Sequence, residues 1–178
     1  MHGWLEQVEW LNHDVPAAFQ LPEACRLLPA EQISEWESEF RQFLQGPRIQ
    51  RLLSVEEYAD GLESLMLPDS IDCPAKWQLE VRNEERFLIA MDDGIFNGSI
   101  DRLVLIHDGE NLVAADVIDF KTDNVDAATR EERTGHYSAQ LNAYRSAVTA
   151  AFGLPPSRIS TRLFFLALDE VIAVDAEA

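Results

Sequence analysis

Two apolar runs joined by a short polar loop place the strongest constraint on the fold of this chain. Residues 96–107 and 112–121 have the apolar, β-branched composition of strands, and the loop between them contains Asp108-Gly109, a pair typical of hairpins. Two strands joined so closely must pair antiparallel. A further strand is predicted over residues 77–91, with Asn83-Glu84 as a candidate turn inside it, followed by a turn at 92–94.

The rest of the chain predicts helices around this meander. Residues 130–152 have an apolar stripe at helical spacing, and strands are predicted over 159–167 and 171–174. The N-terminal part predicts a helix over 2–11, a second over 29–45 with an acidic, solvated face, and short helices over 48–65. Helices, a strand meander, then helix and strand together predict a mixed sheet covered by helices. The helical stripe consists of Tyr137, Leu141, Tyr144, Val148 and Phe152.

Composition limits the kind of protein this chain can be. Its 178 residues predict one domain, with no membrane-spanning run and no signal peptide. Its two cysteines are too few for a four-cysteine iron–sulfur cluster, so we expect no such cluster and a reduced, cytoplasmic protein. The net charge of −18 argues against unaided binding to nucleic acid, because phosphate contacts need lysine and arginine.

The candidate site combines the end of the second hairpin strand with the middle of the first. Asp119 and Lys121 are two residues apart, so both side chains project to one face of a strand. Asp101 and Asp119 are each nine residues from Glu110, so a loop that closes symmetrically there puts the two aspartates opposite each other. An Asp108-Gly109 two-residue turn would offset them instead.

Opposed aspartates need a cation between them, because two close carboxylates repel each other. A hard divalent ion such as Mg²⁺ suits these oxygen ligands. Together with a neighbouring ammonium group, it provides the functional groups needed to hydrolyse a phosphodiester. The competing interpretation is an exposed ion pair at a strand end. A lone Asp-x-Lys favours that simpler interpretation, whereas Asp101 at the matching distance favours the metal site.

Three segments in order give a family resemblance. "GSIDRLVL" (98–105), "VIDFKTD" (117–123) and "HYSAQLNAY" (136–144) resemble the nuclease domain at the C-terminus of RecB/AddA-type helicase–nucleases, which belong to the PD-(D/E)XK superfamily. The family pattern is Gly-x-Ile-Asp, then Asp-x-Lys-Thr, then Gln-x-x-x-Tyr on a helix. The resemblance is tight over about residues 98–150 and implies a restriction-endonuclease-like α/β fold, a mixed central sheet flanked by helices.

The resemblance assigns a role to each matching residue. Asp101 and Asp119 are implied as metal ligands with the backbone carbonyl of Phe120, and Lys121 as the catalytic lysine. Gln140 and Tyr144 match the helical pair, whose spacing of four puts both on one helix face.

Two further positions match the family less tightly. A histidine from an upstream helix joins the metal site in this family, and His2, before "WLEQVEWL", stands at that place, with His13 and His136 as rivals. A supporting glutamate on the strand before Asp101 corresponds to Glu85 in "EERF", with Glu84 as the alternative.

The function implied is that of a Mg²⁺-dependent DNA exonuclease domain, with Mn²⁺ as a substitute metal. Its partners would be single-stranded DNA, the helicase portion of a parent chain and a partner subunit, in double-strand-break repair and recombination. We expect one domain over 1–178, helical over 1–76 and catalytic over 77–178, as a piece of a longer protein. The alternatives are a non-catalytic acidic interaction domain of the same fold and a structure-selective endonuclease that acts without a helicase.

Overall fold

A five-stranded mixed sheet forms the centre of the protein. The computed structural model describes residues 2–11, 16, 18–21, 28–59, 65, 77–91, 94–122 and 130–174. The strands lie side by side in sequence order, β3 pairs parallel with β4, and the other pairs are antiparallel. They are β1 (Trp77–Met91), β2 (Gly94–Asp108), β3 (Asn111–Lys121), β4 (Ile159–Phe165) and β5 (Glu170–Ala173).

A long helix makes the crossover between the two parallel strands. Antiparallel neighbours can be joined by short hairpins, whereas the parallel β3–β4 pair needs a connection that returns across the sheet, and α5 provides it. The predicted apolar stripe of α5 packs on one face of the sheet, where Leu141, Tyr144 and Val148 meet Leu103 and Val117. The helices are α1 (His2–Leu5), α2 (Ala30–Phe43), α3 (Pro47–Leu52), α4 (Glu56–Ala59) and α5 (Arg130–Phe152).

The N-terminal helices cover the other face of the sheet. Trp4, Phe40 and Ile49 pack in one cluster with Ile118 and Phe120 of β3. Successive residues of a strand point to opposite faces, so Val117 contacts α5 while Ile118 contacts the N-terminal helices. The centre of the sheet, β3 and β4, is therefore buried on both faces, and this mixed sheet with flanking helices confirms the predicted α/β restriction-endonuclease-like fold. Among the described residues, no helix is both long and apolar enough to cross a bilayer.

The predicted N-terminal helix is shorter than expected. Helix α1 ends at Leu5, and the prediction of a helix over 2–11 is wrong beyond that point. The Gln7 side chain donates to the Gly3 carbonyl at 2.9 Å and accepts from the Gln20 backbone at 2.6 Å, which holds the chain in a turn. Leu11 then donates its backbone N–H to the Leu53 carbonyl at 2.9 Å instead of continuing a helix.

A buried ion-pair network ties α4 to the sheet. The Arg162 guanidinium on β4 pairs with the Asp116 carboxylate on β3, and both side chains are almost completely buried. The Tyr58 hydroxyl donates to Asp116 Oδ2 at 2.9 Å, and Arg162 Nη1 also reaches Glu57 Oε1 at 2.7 Å. These bonds satisfy charges that would otherwise be costly in the interior, so they fix α4 against the face opposite α5.

Candidate functional site

The pairing of β2 with β3 aligns the two aspartates. Arg102 lies opposite Ile118 and Leu103 lies opposite Val117. Continued by one position, this register puts Asp101 opposite Asp119, as the sequence predicts. Both side chains project to the face that α5 covers, the same face as Leu103 and Val117.

A β-bulge is what produces this alignment. The hairpin turn itself is Gly109-Glu110, between the paired residues Asp108 and Asn111, and Gly109 has a φ of 60°. That turn alone would leave the aspartates offset by one residue. An irregularity next to Ile106 and His107 leaves Val113 as the extra residue on β3 and restores the symmetric register.

A backbone hydrogen bond joins Asp101 to the neighbouring strand. The Phe120 N–H donates to Asp101 Oδ2 at 2.7 Å, so the Asp101 carboxylate lies against the backbone immediately after Asp119. The Phe120 ring points to the other face of the sheet and packs in the cluster of N-terminal helices. Packing of the Phe120 ring on one face of the sheet thus fixes the backbone that positions the two carboxylates on the other face.

Lys121 contacts three groups at the end of β3. Its Nζ lies 2.5 Å from Asp119 Oδ2 and 2.8 Å from Gln140 Oε1. It also lies 4.0 Å from the centroid of the Tyr137 ring. The side chains of Lys121 and Asp119 retain only 13% and 2% of their exposure, so this is not a solvent-exposed ion pair at a strand end.

Gln140 and Tyr144 complete a closed hydrogen-bonded ring. Gln140 Nε2 donates to the Tyr144 hydroxyl at 2.7 Å, and that hydroxyl donates onward to Asp119 Oδ1 at 3.5 Å. Because Gln140 also accepts from Lys121, its amide uses both ends at once. The helix and the strand are therefore connected by polar contacts that start and end on Asp119.

Burial and nearby carboxylates raise the pKa of Tyr144 well above its ordinary value. Desolvation is the largest cause, followed by the negative charges of Asp119 and then Asp101. Both effects oppose a tyrosinate, so the hydroxyl stays protonated and acts as a donor. Because both aspartates raise the pKa of Tyr144, its hydroxyl lies close enough to feel the charge of each.

The two candidate glutamates differ in their positions. The β1–β2 pairing runs from Asn83–Arg102 to Glu85–Ile100, and Glu84, with a φ of 54°, stands between these pairs at the level of Asp101. Glu84 accepts a hydrogen bond from Ser99 Oγ at 2.9 Å, whereas Glu85 lies 3.3 Å from Arg82. The strand position therefore favours Glu84, the alternative, as the neighbour of Asp101.

The structure leaves the histidine assignment as a prediction. The backbone of His2 lies in α1, but its side chain and all of His13 lie outside the described residues. His136 is exposed on α5, where its ring packs edge-on against Tyr137 at 5.4 Å.

The donor chemistry of the site fits a hard divalent cation. Within the described residues, no group of three or more His, Cys, Asp and Glu side chains is arranged to hold a metal ion. Mg²⁺ is commonly held by one or two carboxylates, with water and substrate phosphates supplying the other oxygens. Asp101 and Asp119 meet that requirement, and with Lys121 they carry one net negative charge that favours a cation.

Tyr137 and Phe87 also lie beside the candidate site. The sequence assigned neither of them a role in it. Tyr137 was predicted only as part of the α5 stripe, yet its position three residues before Gln140 was a usable signal. The Phe87 ring packs edge-on against Tyr144 at 5.6 Å and lies across Gly98. A Cβ at Gly98 would lie 2.7 Å from Phe87 Cζ, which explains why a glycine stands three residues before Asp101.

The chain has a family-level match to known proteins. Residues 1–177 match the family model described as the PD-(D/E)XK nuclease superfamily. No curated protein sequence matches the chain at a significant level. Because the match covers nearly the whole chain, and the fold and the Asp-x-Lys strand agree with it, this chain belongs to the PD-(D/E)XK nuclease superfamily.

Proposed function

We propose that this protein is a Mg²⁺-dependent DNA exonuclease domain that hydrolyses phosphodiesters. The observation that carries the proposal is the joining of Asp119, Lys121, Gln140 and Tyr144 in one partly buried polar network beside Asp101. A structural ion pair needs only two of these side chains. Five polar side chains on three elements, β2, β3 and α5, are better explained by a site that binds a substrate phosphate.

Asp101 and Asp119 are the proposed metal ligands, with the Phe120 carbonyl and His2 as further ligands. When bound by these residues, a divalent cation would supply Lewis-acid charge that favours ionisation of water and offsets the charge that builds on the phosphate. Hydrolysis adds the water oxygen to phosphorus and breaks one ester P–O bond. A proton passes to the leaving oxygen, so the products are a phosphate monoester and a free hydroxyl.

Lys121 is the proposed catalytic cation supplied by the protein. Its ammonium can donate a hydrogen bond to a phosphate oxygen as negative charge develops there. Gln140 holds the ammonium by its carbonyl oxygen, and the neutral Tyr144 hydroxyl holds Asp119. These contacts are formed before substrate arrives, so little reorganisation is needed during the reaction.

The distribution of charge supports a helicase-associated role for this domain. A net charge of −18 gives the chain little affinity of its own for DNA at moderate salt. We therefore propose that residues 1–178 are one nuclease domain of an ATP-dependent helicase–nuclease in double-strand-break repair. A helicase portion and its partner subunit would supply the basic channel that brings single-stranded DNA to Asp119 and Lys121.

A charge-removing substitution at Asp119 tests the site assignment. Asp119→Asn should lower Mg²⁺-dependent degradation of single-stranded DNA by about 100-fold or more, because it removes a charged ligand at constant shape. Asp108→Asn is the matched control: Asp108 is exposed next to the hairpin turn at the end of β2, seven residues after Asp101, and its variant should cleave like the wild type. Equal cleavage by Asp119→Asn and the wild type would reject the assignment.

Calorimetric titration with Mn²⁺ separates metal binding from chemistry. Lys121→Ala should bind Mn²⁺ as the wild type does while its cleavage rate falls by about 100-fold. The acidic charge favours a second candidate, an interaction domain of the same fold that docks on a basic partner. A wild-type chain that neither binds Mn²⁺ nor cleaves DNA would favour that candidate.

A further inference from the structure

The Lys121 ammonium is surrounded by three partners with different chemistry. An ammonium group has three N–H donors. The group forms an ion pair with the Asp119 carboxylate and donates a hydrogen bond to the Gln140 carbonyl oxygen. The third partner is the Tyr137 ring, whose centroid lies 4.0 Å from Nζ, within the range of a cation–π contact.

The Tyr137 ring is itself held in place. It packs against the Phe165 ring at 6.5 Å with a tilt of 52°, and Phe165 is fully buried on β4. Phe165 is the residue paired with Lys121 in the parallel β3–β4 register. Packing against the sheet therefore fixes the Tyr137 ring beside Lys121, which extends from the neighbouring strand.

We propose that Tyr137 is a positioning residue for Lys121. This inference rests on the proposed function, because it concerns the lysine that is proposed to act on phosphate. A lysine side chain has four flexible methylene groups, and holding its ammonium in one place costs conformational entropy. The ring face attracts the cation and excludes water from one side of it, which limits the directions in which Nζ can point.

The competing explanation is that Tyr137 only fills the α5 interface. Two substitutions separate the explanations. Tyr137→Phe keeps the aromatic face and the packing, whereas Tyr137→Leu keeps an apolar side chain and removes the face that attracts the cation. A positioning role predicts that phenylalanine preserves function and leucine does not.

The lysine content of the chain allows a direct spectroscopic test. The chain has only two lysines, Lys76 and Lys121, so ¹³C-lysine labelling gives two sets of side-chain signals. The ring should shift the Lys121 ε-methylene proton signals upfield of the value for a lysine in an unfolded chain. That shift should persist in Tyr137→Phe and disappear in Tyr137→Leu, and an unchanged shift in Tyr137→Leu would overturn the proposal.

Kinetics on the same variants tests the consequence for catalysis. Tyr137→Leu should lower kcat by about 3-fold to 30-fold with little change in KM, and Tyr137→Phe should stay close to the wild type. The matched control is Phe152→Leu, which removes another cation–π contact of α5, that of Arg82 at 5.2 Å. Equal losses of kcat in Tyr137→Leu and Phe152→Leu would assign Tyr137 to packing alone.

The two readouts keep the inference distinct from the proposed function. A wild-type chain that neither binds Mn²⁺ nor cleaves single-stranded DNA would overturn the nuclease assignment, while the loss of the methylene shift in Tyr137→Leu would still support the contact. Cleavage by the wild type with an unchanged shift in Tyr137→Leu would support the nuclease and overturn the role of Tyr137.

Discussion

Two tyrosine hydroxyls in this protein face buried carboxylates. Tyr58 donates to Asp116 at 2.9 Å, and Tyr144 donates to Asp119 at 3.5 Å. Burial is the main cause that raises the pKa of each tyrosine, and the neighbouring aspartate is the next. Arg162 and Arg102 act in the opposite direction on Tyr58 without reversing the shift. Each tyrosine is therefore a neutral donor in the folded protein.

These raised pKa values predict a loss of stability in alkali. The unfolded chain releases its tyrosine protons near pH 10, whereas folded Tyr58 and Tyr144 retain theirs. The contribution is complete below about pH 10 and declines as pH rises toward the folded pKa values. Urea unfolding between pH 8 and 11 should show this decline, and Tyr58→Phe and Tyr144→Phe should each make it shallower. An unchanged slope in both variants would contradict the assignment.

At the scale of elements, α5 joins the site to the fold. One side of the helix carries Tyr137, Gln140 and Tyr144, and the same helix packs on the sheet through Leu141 and Val148. The aspartates lie on β2 and β3, whose register depends on one bulge. The geometry of the candidate site therefore depends on how α5 packs against the hairpin.

Alanine substitutions at a glycine inside α5 and at the glycine that follows α5 should change the free energy of unfolding in opposite directions. Gly135 is exposed inside the helix, and a Cβ there would meet no atom within 4 Å, so Gly135→Ala should stabilise the protein by about 0.5–1 kcal/mol. Gly153 ends the helix with a φ of 72°, so Gly153→Ala should destabilise it by about 1 kcal/mol. Urea denaturation measures both, and shifts of the same sign would contradict these helix positions.

At the scale of the whole molecule, the sheet separates the acidic helix from the site. Helix α2 carries Glu31, Glu35 and Glu39 exposed to solvent, as the sequence predicts for a solvated helix face. It packs through Phe40 on the face of β3 opposite Asp119 and Lys121. A nucleic-acid strand at the site would therefore meet α5 and the hairpin, not the carboxylates of α2.

Most of the architecture was predictable from periodicity. The bounds of α5 match the predicted 130–152, and the strands differ from prediction by one or two residues at their ends. Long periodic segments are dominated by one buried face, which the sequence displays directly. The helix predicted over 2–11 was wrong because side-chain bonds of Gln7, with no signature in the apolar pattern, turn the chain after Leu5.

The site was predictable in part. The Asp101–Asp119 alignment followed from a symmetric count, but the turn offsets the strands by one residue and the Val113 bulge compensates, and neither is visible in the pattern. The candidate turn at Asn83-Glu84 coincides with the left-handed Glu84, but β1 continues through it, and the sequence did not indicate which glutamate would stand level with Asp101. The contact of Tyr137 with Lys121 was not predicted, because an aromatic residue on the apolar stripe of a helix is usually a core residue.

The central claim is that Asp101 and Asp119 share one divalent cation. The most direct measurement is the anomalous scattering of Mn²⁺ in crystals soaked with the metal, with Asp119→Asn crystals as the control. We expect one strong peak within bonding distance of both carboxylates, absent from the control. A wild-type crystal with no peak between them, or with the two carboxylates on separate ions, would contradict the account.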